Sequence, residues 1–233
     1  MKRLIAFTVA LAAAIIPAFA QFGITGGFTS SNTTLKSFSD FKPESVSLFH
    51  AGLLYKFDIG AGFALQPTLL YQVKGASLDQ IVKKEDGDIK TSIDTKTGYI
   101  EFNAGLQWGP DLIAFRPYIF AEPFIGYAVY NEEETKGDKP TLADVTEADA
   151  TEYENAKITA WTDSAKQRLE YGIGVGGGIE FSHVQISVQY FLNFGPLYNT
   201  EGKVDGNEVL ETVRTAFKDK NYQGLKVSLA VLF

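Results

Sequence analysis

The ionisable residues with the most regular placement in this sequence are two glutamates, a lysine and a histidine. Each lies seven residues from an aromatic residue that borders a short connection: Glu101 from Trp108, Glu122 from Phe115, Lys226 from Phe233 and His50 from Phe57. In strands of one closed sheet, equal distances from a common end predict equal depth. We therefore predict a polar cluster in which Glu101 and Glu122 face each other beside Lys226 and His50.

The chemistry of such a cluster is set by its two carboxylates. Held close together, they resist ionising at the same time, so they would share a proton or a cation. The functional interpretation is a proton-sensitive plug or an acid–base pair. The structural interpretation, which we favour, is a polar core tied together by ion pairs inside a lumen too narrow for bulk water.

Catalysis by a nucleophile would need a histidine with a nucleophile and an acid in reach. His50 and His183 are the two histidines of the chain, and neither falls in a long connection. His183 falls in a predicted two-residue turn, and the two side chains are expected at different heights, which argues against a shared metal ion. We predict no catalytic residue, no metal site and no cofactor.

The elements that must position these side chains are strands. After residue 20 no run of 18 apolar residues occurs, and segments that alternate apolar with other residues follow instead. We place eight strands at 22–29, 46–58, 63–75, 98–109, 114–130, 168–182, 183–194 and 222–233. Short connections alternate with long polar ones at 30–45, 76–97, 131–167 and 195–221. Short turns at one end and long loops at the other are typical of an up-and-down membrane barrel.

One face of every predicted strand carries no charge, and the opposite face carries the ionisable residues. The apolar side chains would overfill an eight-stranded interior, so they must point outward into lipid. Aromatic residues mark both ends of this face, roughly 20–25 Å apart, which is near the height of the apolar band of an outer-membrane barrel. The sequence therefore predicts an all-β, eight-stranded antiparallel transmembrane barrel with short periplasmic turns and long extracellular loops.

Inside this barrel, glycines alternate at Gly172, Gly174, Gly176 and Gly178. They do not form a phosphate-binding loop, because they lie within a strand and open no helix. We predict that they face the lumen and leave room for Tyr118, Phe120 and Phe124 of the preceding strand, since small residues opposite large ones fill narrow barrels.

The N-terminal residues have the pattern of a cleaved signal peptide. Lys2 and Arg3 precede an apolar run over residues 4–19, and Ala18-Phe19-Ala20 is a small–x–small cleavage site. We predict a signal peptide over residues 1–20 and one barrel domain over residues 21–233. The chain has no cysteine, so lipid attachment to cysteine and disulfides are excluded. Without Lys2 and Arg3, 19 basic and 28 acidic residues remain, which argues against nucleic acid as a partner.

Several segments carry a family resemblance. They are LQPTLLY at 65–71 with Lys74 and Gly75, RPY at 116–118, PFIG at 123–126, GIGVGGGIE at 172–180, and Tyr190 with NFG at 193–195. The chain resembles the PorT-like small outer-membrane β-barrel family (outer membrane protein beta-barrel domain) of Bacteroidota. The resemblance implies an outer-membrane barrel, mostly of unassigned role, whose namesake belongs to a secretion apparatus.

The last strand looks like the C-terminal signature of outer-membrane proteins, which the barrel-assembly machinery reads. Its alternating residues are Leu225, Val227, Leu229, Val231 and Phe233. We expect further partners in outer-membrane lipid, lipopolysaccharide and an unknown surface or envelope protein.

The final long loop contains residues with the spacing of an amphipathic helix. Val209, Leu210, Val213 and Phe217 follow this spacing within residues 207–218. These residues would form an apolar stripe along the helix. The simpler interpretation is that the barrel's own mouth, or the acidic loop from Asn131, covers this stripe. The functional interpretation is a recognition helix. The sequence thus predicts a non-enzymatic structural or interaction protein acting through its loops. A role as a component of a secretion or surface assembly is compatible with this prediction. The alternatives are an outer-membrane enzyme acting on lipid A or peptides, or a narrow-pore transporter.

Overall fold

The computed structural model describes residues 20–33, 41–84, 87–137, 157–158, 167–197 and 220–233. Its strands are β1 (Ala20–Thr33), β2 (Phe41–Glu44), β3 (Val46–Gly60), β4 (Phe63–Lys84), β5 (Gly87–Trp108), β6 (Arg116–Gly137), β7 (Lys157–Ile158), β8 (Leu169–Phe181), β9 (Val184–Asn193) and β10 (Tyr222–Leu232). Within these ranges, no helix is long and apolar enough to cross a membrane. The predicted signal peptide, apart from Ala20, and the predicted recognition helix lie outside the described residues and stay predictions.

Eight of the strands form a closed antiparallel barrel, as the sequence predicts. They pair in the order β4-β3-β1-β10-β9-β8-β6-β5, and β5 pairs with β4 to close the ring. The stagger of the strands follows from the pairing. Stepping from each residue to its partner on the next strand, a path that starts at Ala20 of β1 passes every strand. It returns to β1 at Ser30, ten residues further on. With about 3.3 Å per residue and about 4.8 Å between strands, this shift tilts the strands by about 40° and gives a backbone radius of roughly 8 Å.

Apolar side chains of the barrel strands point outward, which confirms the predicted orientation of the two faces. Leu53, Leu69, Phe102, Ile125, Val175, Val188 and Leu229 are each 49–52% exposed. Aromatic pairs border this apolar face at both ends. Phe22–Phe233, Phe63–Trp108 and Phe115–Phe181 lie near the short turns, and Phe49–Tyr71 and Tyr171–Phe194 lie near the loop end. The barrel therefore has the surface of a protein whose outer solvent is lipid.

The prediction of a long polar loop over residues 76–97 is wrong. β4 and β5 stay paired from Gly75 and Lys96 to Lys84 and Gly87, and β6 pairs with β5 as far as Gly137. Beyond the lipid both faces of a strand can meet water, so a strand there no longer needs an apolar face. Polarity predicts a loop here, whereas the β-branched residues of the segment and its Asp86-Gly87 dipeptide are typical of a hairpin.

Two short strands widen this projecting sheet. β2 pairs with β4 at Ser77–Gln80, and β7 pairs with β6 at Glu133 and Glu134. The loop end of the barrel therefore continues into an antiparallel sheet in the order β2-β4-β5-β6-β7. This extension, rather than an irregular loop, forms the described part of that end.

Candidate functional site

The lumen is the part of the described chain where ionisable groups are concentrated. Four basic and four acidic side chains there are at most 9% exposed: Lys56, Lys74, Arg116, Lys226, Glu101, Glu122, Glu170 and Glu180. Buried charges need partners, because leaving water costs several kcal/mol for each ion. The eight side chains meet this need in three clusters stacked along the barrel axis, which we call basal (nearest the short turns), central and upper.

The central cluster is built on the ion pair between Glu122 of β6 and Lys226 of β10. Lys226 Nζ lies 3.0 Å from Glu122 Oε1. Asn103 Nδ2 and Gln189 Nε2 donate hydrogen bonds to the same oxygen at 3.0 and 2.9 Å. One carboxylate is thus matched by one lysine and two amides, and the cluster has no excess charge.

His50 lies in the lumen beside the central cluster, where it is bonded to hydroxyl groups rather than to the ion pair. Its Nδ1 is 3.0 Å from Thr29 Oγ1 and its Nε2 is 2.9 Å from Ser228 Oγ. The ring is 2% exposed. Gly27 makes room for it, because a Cβ there would come within 2.9 Å of the ring atom Cε1. His50 is therefore held by both ring nitrogens.

The upper cluster places two carboxylates around one lysine. Lys74 Nζ of β4 lies 2.9 Å from Glu101 Oε1 and 3.0 Å from Glu170 Oε2, and it is 3.3 Å from Asn193 Oδ1. Asn193 also donates a hydrogen bond to Glu170. Three rings surround the ammonium group at 4.3–5.5 Å, from Tyr99, Phe124 and Phe191. Cation–π attraction adds to the ion pairs where water is excluded.

The structure separates Glu101 from the cluster that the sequence predicts for it. Equal counts from Trp108 and Phe115 predict equal depth for Glu101 and Glu122. However, Trp108 pairs with Ile119, which lies four residues beyond Phe115. Glu101 consequently pairs with Gly126, four residues beyond Glu122, which is roughly 13 Å along the strand. The two glutamates therefore do not face each other, and Glu101 shares Lys74 with Glu170 instead.

The basal cluster closes the lumen near the short turns. Glu180 Oε1 accepts a hydrogen bond from Lys56 at 2.8 Å, and its Oε2 lies 3.5 Å from Arg116 Nη1. Arg116 Nη2 donates to the carbonyl of Gly62 at 2.9 Å, and Lys56 also reaches Asp58 at 3.1 Å. Below it, a polar bowl of about 270 Å³ opens at this end of the barrel.

Glycines and bulky residues fill the lumen between the clusters, as the sequence predicts. A Cβ at Gly172, Gly176 or Gly178 would lie 2.5–2.7 Å from ring atoms of Phe124, Phe120 and Tyr118 respectively. Gly174 instead leaves room for Gln189, the amide that binds Glu122. A cavity of about 40 Å³ beside the central cluster has room for a few water molecules. The described lumen is thus a packed polar core.

This geometry is that of a small barrel in lipid, and comparison with known proteins identifies its family. The family model of the outer membrane protein beta-barrel domain matches residues 16–199. The chain belongs to this family. It is an integral outer-membrane β-barrel.

Among solved structures, the barrel is similar to neisserial surface protein A, with 12% identity, coverage of 92% of this chain and 99% of that one, and a TM-score of 0.39. It is also similar to Ail, the attachment invasion locus protein of Yersinia pestis, with 12% identity, the same two coverages and a TM-score of 0.38. The translocator domain of the autotransporter NalP from Neisseria meningitidis is 10% identical, with coverages of 99% and 98% and a TM-score of 0.26. A comparison with curated proteins finds no match.

Proposed function

We propose that this outer-membrane barrel is a non-enzymatic structural or interaction protein that acts through its extracellular end and conducts no solutes. The observation that carries the proposal is the closed lumen. Lys74 with its two glutamates, the Glu122–Lys226 pair, and Glu180 with its two cations occupy three successive heights. A solute would have to displace buried ion pairs at each of them.

The positions of the histidines also favour a non-enzymatic role over an enzyme acting on lipid A or peptides. His50 is enclosed in the lumen, with both ring nitrogens bonded to hydroxyl groups. His183 lies in the turn between β8 and β9, where its Nδ1 is 2.7 Å from the hydroxyl of Ser182. Neither ring is placed against lipid headgroups at the extracellular end.

Conductance measurements test the closed lumen. The purified, folded protein should give no stable single-channel steps in planar bilayers, while a general porin in the same bilayers provides the positive control. Folding is verified beforehand by the shift in gel mobility between unheated and heated samples. Stable steps from the wild-type barrel would contradict the proposal and favour a narrow-pore transporter.

The interaction surface that we propose is the extracellular extension together with the long loops. The pairing of β4, β5 and β6 beyond the lipid supports this, because it provides a regular sheet at the loop end of the barrel. The sequence adds the predicted helix over residues 207–218. Photo-crosslinkers at Val213 and Phe217 in living cells should capture another envelope or surface protein. Crosslinks within the chain alone, under several growth conditions, would make the helix a lid.

The more specific predictions of family branch and assembly belong to the same proposal. The PorT-like segments support a barrel of the Bacteroidota type, and a role in a secretion or surface assembly follows from that resemblance alone. We propose export by the signal peptide over residues 1–20 and recognition of Leu225–Phe233 by the barrel-assembly machinery. Deleting Phe233, or replacing it with Asp, should strand the chain in the periplasm. Normal amounts of folded protein in the outer membrane would contradict this assembly role.

A further inference from the structure

The connection between β5 and β6, residues 109–115, differs from the other short turns of the barrel. The β3–β4 turn consists of Ala61 and Gly62, and the β8–β9 turn of Ser182 and His183. Both turns are small or polar. The β5–β6 connection instead carries Leu112 and Ile113, which are 48% and 111% exposed. Exposed apolar residues also occur in strands at this end, such as Ile59 of β3 (64%), but Leu112 and Ile113 are adjacent and lie within the connection itself. Together they form an apolar tip that a neighbouring surface would cover.

The backbone shows that this connection is a continuation of the β5–β6 hairpin. Trp108 pairs with Ile119, and the amide of Leu112 donates a hydrogen bond to the carbonyl of Phe115 at 3.1 Å. Both pairs have the same register, although residues 109–115 belong to neither strand. The connection therefore folds back on itself with a two-residue tip at Ile113 and Ala114, beyond the last ladder pair of Trp108 and Ile119.

The register also fixes which way the side chains of the hairpin point. Residues directly opposite each other in an antiparallel pair project from the same face. Phe115 packs against Phe181 on the lipid-facing surface, with ring centroids 5.6 Å apart, so its partner Leu112 shares that face. Asp111 Oδ1 lies 3.5 Å from Arg116 Nε, and both residues line the bowl inside. The outward face of the hairpin is therefore uncharged.

We propose that the β5–β6 tip is an anchor in the membrane interface, with Leu112 and Ile113 inserted among the phospholipid headgroups of the periplasmic leaflet. The proposal rests on continuity: the tip extends an apolar surface that already contacts lipid at Phe115 and Phe181. It also rests on support from the neighbouring turn, because Gly109 and Arg116 both donate to the carbonyl of Gly62 at 2.9 Å. Such an anchor would fix the depth of the barrel on one side.

The absence of cysteine from the chain allows a direct test in the full-length folded protein. Ile113→Cys and His183→Cys each introduce a single thiol, at the proposed anchor and at a polar turn of the same end. Each is labelled with an environment-sensitive fluorophore and placed in phospholipid nanodiscs, which leave both leaflets accessible. Quenching is then measured with phospholipids brominated near the headgroup and with iodide in the buffer.

We expect the probe at position 113 to be quenched several-fold more by brominated lipid than the probe at 183, and less by iodide. Equal iodide quenching at the two positions would overturn the anchor and leave an apolar tip suited to a periplasmic protein. As a second readout, Ile113→Asp should lower the folded fraction in vesicles relative to Ile113→Ala, while His183→Asp leaves it unchanged. Indistinguishable Ile113→Asp and Ile113→Ala yields would also count against the anchor.

Discussion

Lys226 in the central cluster and Lys74 in the upper cluster both neutralise buried carboxylates, and their surroundings differ. Lys226 has one carboxylate partner, Glu122, which also accepts two amide hydrogen bonds. Lys74 has two carboxylate partners, Glu101 and Glu170, inside a ring of three aromatic side chains. The central cluster is therefore balanced in charge, whereas the upper cluster depends on a single cation.

This difference teaches where the fold is most vulnerable. If Lys226 is lost, Glu122 keeps two neutral donors, but if Lys74 is lost, two buried carboxylates are left beside each other. The rings around Lys74 exclude the water that would otherwise solvate them. The upper cluster is also the one nearest the loop end of the barrel, so the closed lumen that we propose depends on its stability.

The largest effect is expected from Lys74→Met, which keeps the bulk of the side chain and removes its charge. Breaking a buried ion pair from one side costs about 3–5 kcal/mol, because the remaining charge stays buried. We expect a loss in the free energy of unfolding in this range, measured by denaturant titration in lipid vesicles. Lys96→Met is the control, since Lys96 is partly exposed and lies 3.4 Å from Glu132; its loss should stay below about 1 kcal/mol.

Lys226→Met should destabilise the barrel less than Lys74→Met does. The amides of Asn103 and Gln189 still donate to Glu122, and a hydrogen bond to a charged group contributes about 1.5–3 kcal/mol. Adding Glu122→Gln to Lys226→Met should recover part of the loss, because it removes the unpaired charge. If Lys226→Met costs as much as Lys74→Met in the same titration, the two clusters do not differ in the way we describe.

Glycines next to the two clusters provide a gentler comparison. A Cβ at Gly126 would lie 2.7 Å from Glu170 Oε1 and 2.9 Å from Glu101 Cγ, whereas at Gly105 the nearest atoms are at 3.3 and 3.4 Å. Gly126→Ala should therefore cost about 1–3 kcal/mol, as overpacking does, and Gly105→Ala less. Equal changes in unfolding free energy would show that the upper cluster can shift its carboxylates freely.

The sequence is a good guide to the barrel and a partial guide to its interior. Apolar alternation identifies the outward face, because each strand must present that face to lipid wherever it crosses the membrane. The alternating glycines likewise identify their bulky partners Tyr118, Phe120 and Phe124. In both cases a short period of two residues within a strand carries the information.

The interior clusters depend on register between strands, which single-strand patterns do not contain. Counting from Trp108 and Phe115 places Glu101 and Glu122 together, because it treats the β5–β6 turn as if both strands ended level. The hairpin in fact continues past Trp108 to Leu112 and Phe115. Lys74 lies three residues from Tyr71 and Glu170 one residue from Tyr171, both aromatic residues of the loop end, so an equal count from that end does not bring them together either.

The smallest effect is expected at His50, and it decides whether that residue belongs to the central ion pair. Its ring nitrogens bond to Thr29 and Ser228, so His50→Gln can keep one of these bonds and should cost about 1 kcal/mol, the usual net contribution of one hydrogen bond. Combined with Lys226→Met, the two losses should add within about 0.5 kcal/mol, as they do for residues that share no partner. A double-mutant cycle from denaturant titrations measures this. A larger coupling energy would mean that His50 and Lys226 act as one unit, as in an acid–base cluster. The central cluster would then be more than a simple ion pair, and the contrast with the upper cluster would be lost.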